Sequence, residues 1–202
     1  MTTNTGCLAR IIGFGHYLAH GMPKLPAEYE GLEDSRAAVV CVAADTAYGP
    51  NVTSNRVARH VRKALAENVD DIVVVPEEEI SDWLDHNDWS EVDYVALGNG
   101  VKADKVVAIE LNAPIRFHEG PQLYRGSADY TVTVIDLKKQ GKKDFRRRVS
   151  DFHWPAQARY GVQETQFEAA FLKRVGDRIA GHFYGLDPHE DIGQDTSDIG
   201  EF

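Results

Sequence analysis

Seven consecutive residues without a charge, Ala37-Ala38-Val39-Val40-Cys41-Val42-Ala43, set the strongest limit on how this chain can fold. Alternate side chains of a strand point to opposite faces, so an unbroken apolar run buries both of them. Such a strand lies inside a sheet and needs helices above and below, which is the α/β arrangement. Cys41 within it reads as a buried, inert thiol. With Cys7 the only other cysteine, no disulfide framework is expected.

The turn-rich stretch Asp45 to Asn51 ends the run. Thr53 or Ser54 is then placed to cap a helix reaching to about Asn68, with Val57, Val61, Ala64 and Leu65 on one face. Asp71 to Val75 reads as a second short buried strand. Pro76 followed by Glu77, Glu78 and Glu79 then opens a helix with an Ile80, Trp83, Leu84 stripe. A further short helix is expected over Glu91 to Val101, weakened by Gly98 and Gly100. After it the pattern changes to strands, at Lys105 to Leu111, Ala128 to Leu137 and Lys143 to Phe152. The middle one alternates Tyr130, Val132 and Val134 with Thr131 and Thr133, as a half-exposed antiparallel strand does, and Gln140-Gly141 turns it into the next. Thr165 and Glu168 have capping-box spacing ahead of Phe167, Phe171, Val175, Ile179 and Phe183, a ladder at i, i+4. The expected order is therefore β-α-β-α-α-β-β-β-α, a mixed α/β (α+β) sheet of about five strands covered by helices.

Three regions follow. Residues 1–35, with Pro23, Pro26, Gly21 and Gly31, read as a linker, residues 36–184 as one domain, and residues 185–202 as a disordered acidic tail. The tail holds Asp187, Glu190, Asp191, Asp195, Asp198 and Glu201 with no Lys or Arg, so it supplies six of the ten net negative charges. A net charge of -10 argues against nonspecific binding to nucleic acid or an anionic membrane. The apolar stretch Leu8 to Leu18, broken by Arg10 and His16, is too short and too polar to span a bilayer.

Motifs for catalysis are sparse. No glycine loop is followed by G-K-S/T, Gly13-Phe14-Gly15 and Gly98-Asn99-Gly100 lack a third glycine, and no G-x-S-x-G elbow surrounds a serine. His118 and Glu119, placed in a loop between strands, and His153, placed just beyond the last strand, form the one candidate constellation for a hydrolase or metal-dependent enzyme. The eight histidines are scattered and no C-x-x-C accompanies them, so neither a metal site nor a cofactor is expected. Asp82, Asp85, His86 and Asp88 read as an acidic helix end, and Asn51-Val52-Thr53 as a chance sequon. The one dense positive patch is Lys138, Lys139, Lys142, Lys143, Arg146, Arg147 and Arg148, opposed by Asp144 alone. It reads as a charged edge strand that blocks aggregation, with a nucleic-acid- or phosphate-binding ribbon as the alternative that makes it a binding surface.

Four short segments carry a family resemblance: Val39-Val40-Cys41-Val42; Val73-Val74-Val75-Pro76-Glu77-Glu78; Gly98-Asn99-Gly100-Val101-Lys102-Ala103-Asp104-Lys105-Val106-Val107; and Thr133-Val134-Ile135-Asp136-Leu137 before Gly141. In this order of elements they resemble the α/β domain of CsgG, LpoB and the amino-terminal domain of TolB. The resemblance implies a non-catalytic bacterial envelope module, often lipid-anchored, that binds a protein partner. Asn4-Thr5-Gly6-Cys7 is similar to the end of a lipoprotein signal, which makes Cys7 the expected acylation site, given a leader upstream of Met1. The expectation is a periplasmic or outer-surface protein that meets the membrane only through that lipid and binds no nucleic acid; without the anchor it is cytoplasmic.

Overall fold

A computed structural model describes residues 25–43, 51–87 and 93–186. Its elements run β1 (Arg36–Ala43), α1 (Val52–Asn68), β2 (Val73–Val74), α2 (Glu77–His86), α3 (Tyr94–Gly100), β3 (Lys105–Leu111), β4 (Arg116–Gly120), β5 (Leu123–Asp136), β6 (Lys142–Tyr160) and α4 (Glu164–Ala180). They form one six-stranded mixed sheet. β1 pairs in parallel with β2 and with β3, while β3, β4 and β6 all run antiparallel to β5. The long β5 therefore carries β3 and β4 along one side and β6 along the other. Among the described residues β6 pairs with no other strand, so it is an edge.

β1 is buried along almost its whole length, as its composition requires. Its odd-numbered residues face α1 and α4, packing Val39 and Cys41 with Val57, Val61, Phe171 and Val175. Its even-numbered residues face α2 and α3, packing Val40 and Val42 with Ile80, Leu97 and Ile135. Burial pushes the Cys41 thiol far above its ordinary pKa, so the sulfur is an inert core atom. Among the described residues no helix is long and apolar enough to cross a membrane.

Several local expectations are corrected. The cap of α1 is Asn51, whose side chain accepts from the Ser54 N–H at 2.8 Å while Ser54 Oγ accepts from the Asn51 N–H at 2.7 Å. Thr53 lies inside the first turn, and the sequon asparagine is spent on this reciprocal pair. Asn51→Ala is expected to cost about 1 kcal/mol of stability in urea unfolding, and Asn51→Asp much less. The Thr165/Glu168 box does not form: α4 starts at Glu164, with Gln163 making no side-chain cap. What fixes this helix is its ladder, with Phe167, Phe171, Val175 and Ile179 fully buried. β2 has two residues rather than five, and Val73 is 53% exposed, with no strand beyond it among the described residues. β5 is not half-exposed: Thr131 and Thr133 are buried, Thr131 Oγ1 accepting from Asn112 at 2.9 Å. β6 continues past Phe152 to Tyr160 through Pro155, which an edge strand tolerates because its outward side needs no ladder bond.

The chain ahead of β1 also packs on the domain. Leu32 is fully buried, Leu25 bridges Leu186, and the Glu28 and Tyr29 N–H groups both donate to the His182 carbonyl at 3.0 Å. Tyr29 packs edge-on against Phe183 and tilted against Phe145. Residues 25–35, expected as part of a linker, are thus attached to the body, and so is Leu186, expected in the tail. Cys7 and the acidic residues beyond Leu186 lie outside the described residues.

Candidate functional site

The polar side chains converge on one face of the sheet. On β5 the even-numbered Gly126, Tyr130, Val132 and Val134 face α4, so the odd-numbered Arg125, Ser127, Asp129, Thr131 and Thr133 point the other way. Register then adds neighbours on this second face: Arg116 of β4 and His153 of β6 flank Ser127, Arg148 lies beside Thr131, and Arg146 beside Thr133. Over β1 and β3 this face is covered by α2 and α3. Over β4, β5 and β6 it carries four arginines.

Near one end of that face is a cavity of about 240 Å³ lined by Arg116, His118, Glu119, Arg125, Ser127 and His153. The candidate trio His118, Glu119 and His153 thus shares one cavity, on strands β4 and β6 rather than in loops. The trio is not a metal centre: among the described residues no three His, Cys, Asp or Glu side chains are close enough together to hold a cation. Each histidine is committed elsewhere, His118 Nε2 to Glu164 at 3.1 Å and His153 Nδ1 to the Asp151 carbonyl at 2.9 Å. Arg116 and Arg125 are absent from the candidates read from the sequence. Arg116 Nε donates to Ser127 Oγ at 3.0 Å, Arg125 reaches Glu119 at 3.4 Å, and the buried Arg125 Nε has no partner.

The seven basic residues of the hairpin divide into two groups. Lys138 pairs with Asp104 at 2.9 Å, Lys139 with Asp144 at 3.0 Å, and Arg147 with Glu28 at 3.6 Å. Lys142, Lys143, Arg146 and Arg148 are exposed and meet no carboxylate among the described residues. Asp144 is shared among Tyr29, Lys139 and Lys105, and the Tyr29 hydroxyl donating to it at 2.7 Å holds its carboxyl below the ordinary aspartate range.

A second cleft, of about 390 Å³, lies between α1 and α2 over Val39 to Cys41, where β1 runs on past the short β2. Arg62 closes its floor by donating to the Val39 carbonyl at 3.3 Å and to Glu77 at 2.7 Å, so its charge is already matched. The acidic helix end Asp82, Asp85 and His86 is on the solvent side of α2, with His86 Nδ1 against the Asp82 carbonyl; Asp88 lies outside the described residues.

Fold and site together define a mixed α/β domain with four arginines gathered on one sheet face beside α2 and α3. No family model matches the chain, and no curated protein is similar to it at a significant level. Solved structures do resemble it. Lipoprotein GNA1162 from Neisseria meningitidis is 14% identical, with 72% of this chain and 98% of that one covered and a TM-score of 0.46. The PelC dodecamer from Paraburkholderia phytofirmans is 13% identical, with 82% and 94% covered and a TM-score of 0.43. Protein XCC0632 from Xanthomonas campestris is 12% identical, with 79% and 88% covered and a TM-score of 0.40.

Proposed function

We propose that this chain is a non-catalytic domain of the bacterial cell envelope, anchored by a lipid on Cys7, that binds an acidic protein partner along β6. The observation that carries the binding reading is the open edge of β6. It runs nineteen residues and presents Lys142, Lys143, Arg146 and Arg148 without described counter-charges. An unpaired edge offers backbone groups to an incoming strand, and the cations select one rich in carboxylates. In a chain of net charge -10, positive charge gathered on one strand supports directed docking over general adhesion to polyanions. The anchor rests on Thr5-Gly6-Cys7, and the non-catalytic envelope role on the segments similar to CsgG, LpoB and TolB.

Two measurements test this. Expressed from its natural reading frame in the presence of a labelled fatty acid, the wild type is expected in the membrane fraction carrying label. Cys7→Ser is expected to lose both, and a labelled Cys7→Ser protein would sink the anchor. For the partner, crosslinking in membrane extract is expected to yield an acidic protein whose capture falls at least tenfold in an Arg146→Glu/Arg148→Glu variant. Capture that is nuclease-sensitive would instead favour the nucleic-acid reading.

A further inference from the structure

We infer that the cavity between β4, β5 and β6 is a binding site for a phosphate group, formed by residues other than the docking cations Lys142, Lys143, Arg146 and Arg148. Three strands contribute donors that register alone brings together. Arg116 and Ser127 are opposite each other across β4 and β5, and Ser127 and His153 across β5 and β6. Arg125 lies two residues before Ser127 on the same face of β5.

The hydrogen bonds already made define which donors are left. Arg116 uses only its Nε, on Ser127 Oγ, so its two terminal nitrogens are free and no carboxylate neutralises its charge. Ser127 Oγ accepts that bond and keeps its own hydrogen to donate. Arg125 spends one terminal nitrogen on Glu119 at 3.4 Å, while its Nε is buried with no partner. A buried, unpaired guanidinium N–H is costly, and an oxyanion would satisfy it. His153 is fixed through Nδ1, leaving Nε2 without a described partner.

Counted over the side chains that line the cavity, two arginines stand against one carboxylate. Arg116 and Arg125 face one carboxylate, Glu119, while the nearby carboxylates of Asp151 and Glu164 lie 3.5 and 3.1 Å from His153 and His118. Donors that arrive from three strands suit a tetrahedral oxyanion better than a planar carboxylate, which one guanidinium fork would hold. About 240 Å³ accommodates a phosphate with part of the group that bears it. That phosphate comes either from a small phosphorylated molecule or from a lipid headgroup, and the two sources separate experimentally.

The test is a titration of the full chain with inorganic phosphate, followed by amide chemical shifts, beside flotation with phosphatidylglycerol and phosphatidylcholine vesicles. Shifts are expected at Arg116, Arg125, Ser127 and His153, with affinity reduced at least tenfold by Arg116→Gln and by Arg125→Gln. Arg146→Glu/Arg148→Glu is expected to change phosphate affinity less than threefold, so failure of the docking edge and failure of this site are told apart. Phosphate shifts abolished by Arg116→Gln assign a soluble ligand. Phosphatidylglycerol-selective flotation abolished by the same variant assigns a headgroup. Binding that both glutamine variants retain while their thermal melts match the wild type overturns the site, as does an absence of binding to either probe.

Discussion

Phe171→Ala is expected to remove about 3–5 kcal/mol of folding stability, among the largest losses of any single side chain in this domain. Phe171 is fully buried where α4 crosses the sheet. Its ring lies 6.0 Å from Phe117 of β4, 6.1 Å from Phe152 of β6 and 6.3 Å from Phe167 one turn earlier. Beneath it is Gly126 of β5, where an added Cβ would stand 2.2 Å from the ring. One side chain therefore joins α4 to three strands, and its loss leaves a cavity that strands fixed by their ladders cannot close. Against a usual total of about 5–15 kcal/mol, that loss is a large fraction of the domain's stability. Urea unfolding followed by circular dichroism measures it. Gly126→Val should be destabilising through overpacking of the same contact, and a loss below about 1 kcal/mol for Phe171→Ala would show that the helix is held elsewhere.

That aromatic junction was only half legible in the sequence. The i, i+4 ladder of α4 placed Phe167 and Phe171 on one apolar stripe, and both are buried. Nothing local revealed β4, because Arg116-Phe117-His118-Glu119-Gly120 has a single apolar residue and is punctuated by Pro114, Gly120 and Pro121. Only Phe117, pressed against Phe171, shows why the segment is a strand. The helix starts were misread for a related reason. Thr165 has cap chemistry, but the packing of Phe167 on Tyr124 and Trp154 places the first turn earlier. By contrast β1 was read correctly because an unbroken apolar run is stable only as an inner strand buried on both faces.

The candidate site shows where a linear reading stops. His118, Glu119 and His153 were grouped from chemistry alone, and they do line one cavity. Arg116, Arg125 and Ser127 were missed, although Arg125 and Ser127 stand at alternate positions leading into the Thr131, Thr133 face of β5. That alternation was the available signal. The partner positions on β4 and β6 depend on register shifts along β5, including those between Tyr124 and Gly126 and between Ala128 and Tyr130, which no periodicity encodes.

Asp136→Ala is the second substitution with a large expected effect, about 3 kcal/mol, because it leaves the Lys105 ammonium with only the more distant Asp144, at 3.8 Å, as counter-charge. Asp136 closes β5, and its side chain is 6% exposed against 12% for Lys105 of β3, the residue opposite it. Lys105 Nζ donates to it at 2.8 Å and to Tyr29 Oη at 3.1 Å, which ties the chain ahead of β1 to the sheet. Burial works against the Lys105 ammonium, yet its hydrogen bonds to Asp136 and Tyr29 leave its pKa above the ordinary lysine value. The same bond from Lys105 holds the Asp136 carboxyl below the ordinary aspartate range, and Lys139 adds to it. A carboxylate depressed by folding contributes stability that is complete above its unfolded pKa, about 3.9, and is lost as pH falls toward the folded value. A lysine raised by folding contributes stability that persists below about 10.4 and is lost as pH rises through the folded value. The wild type is therefore expected to hold a stability plateau between those limits and to weaken below about pH 4. Asp136→Ala should lower the plateau and flatten its acid limb, because the group whose protonation weakens the wild type is gone. Replacing both partners, as Lys105→Met with Asp136→Leu, should recover much of the loss, since the main cost lies in a buried charge left poorly paired and not in the absence of the pair. If the double variant is as unstable as Asp136→Ala, the junction is held by the geometry of these polar bonds, and Tyr29 loses its hold on the sheet with them.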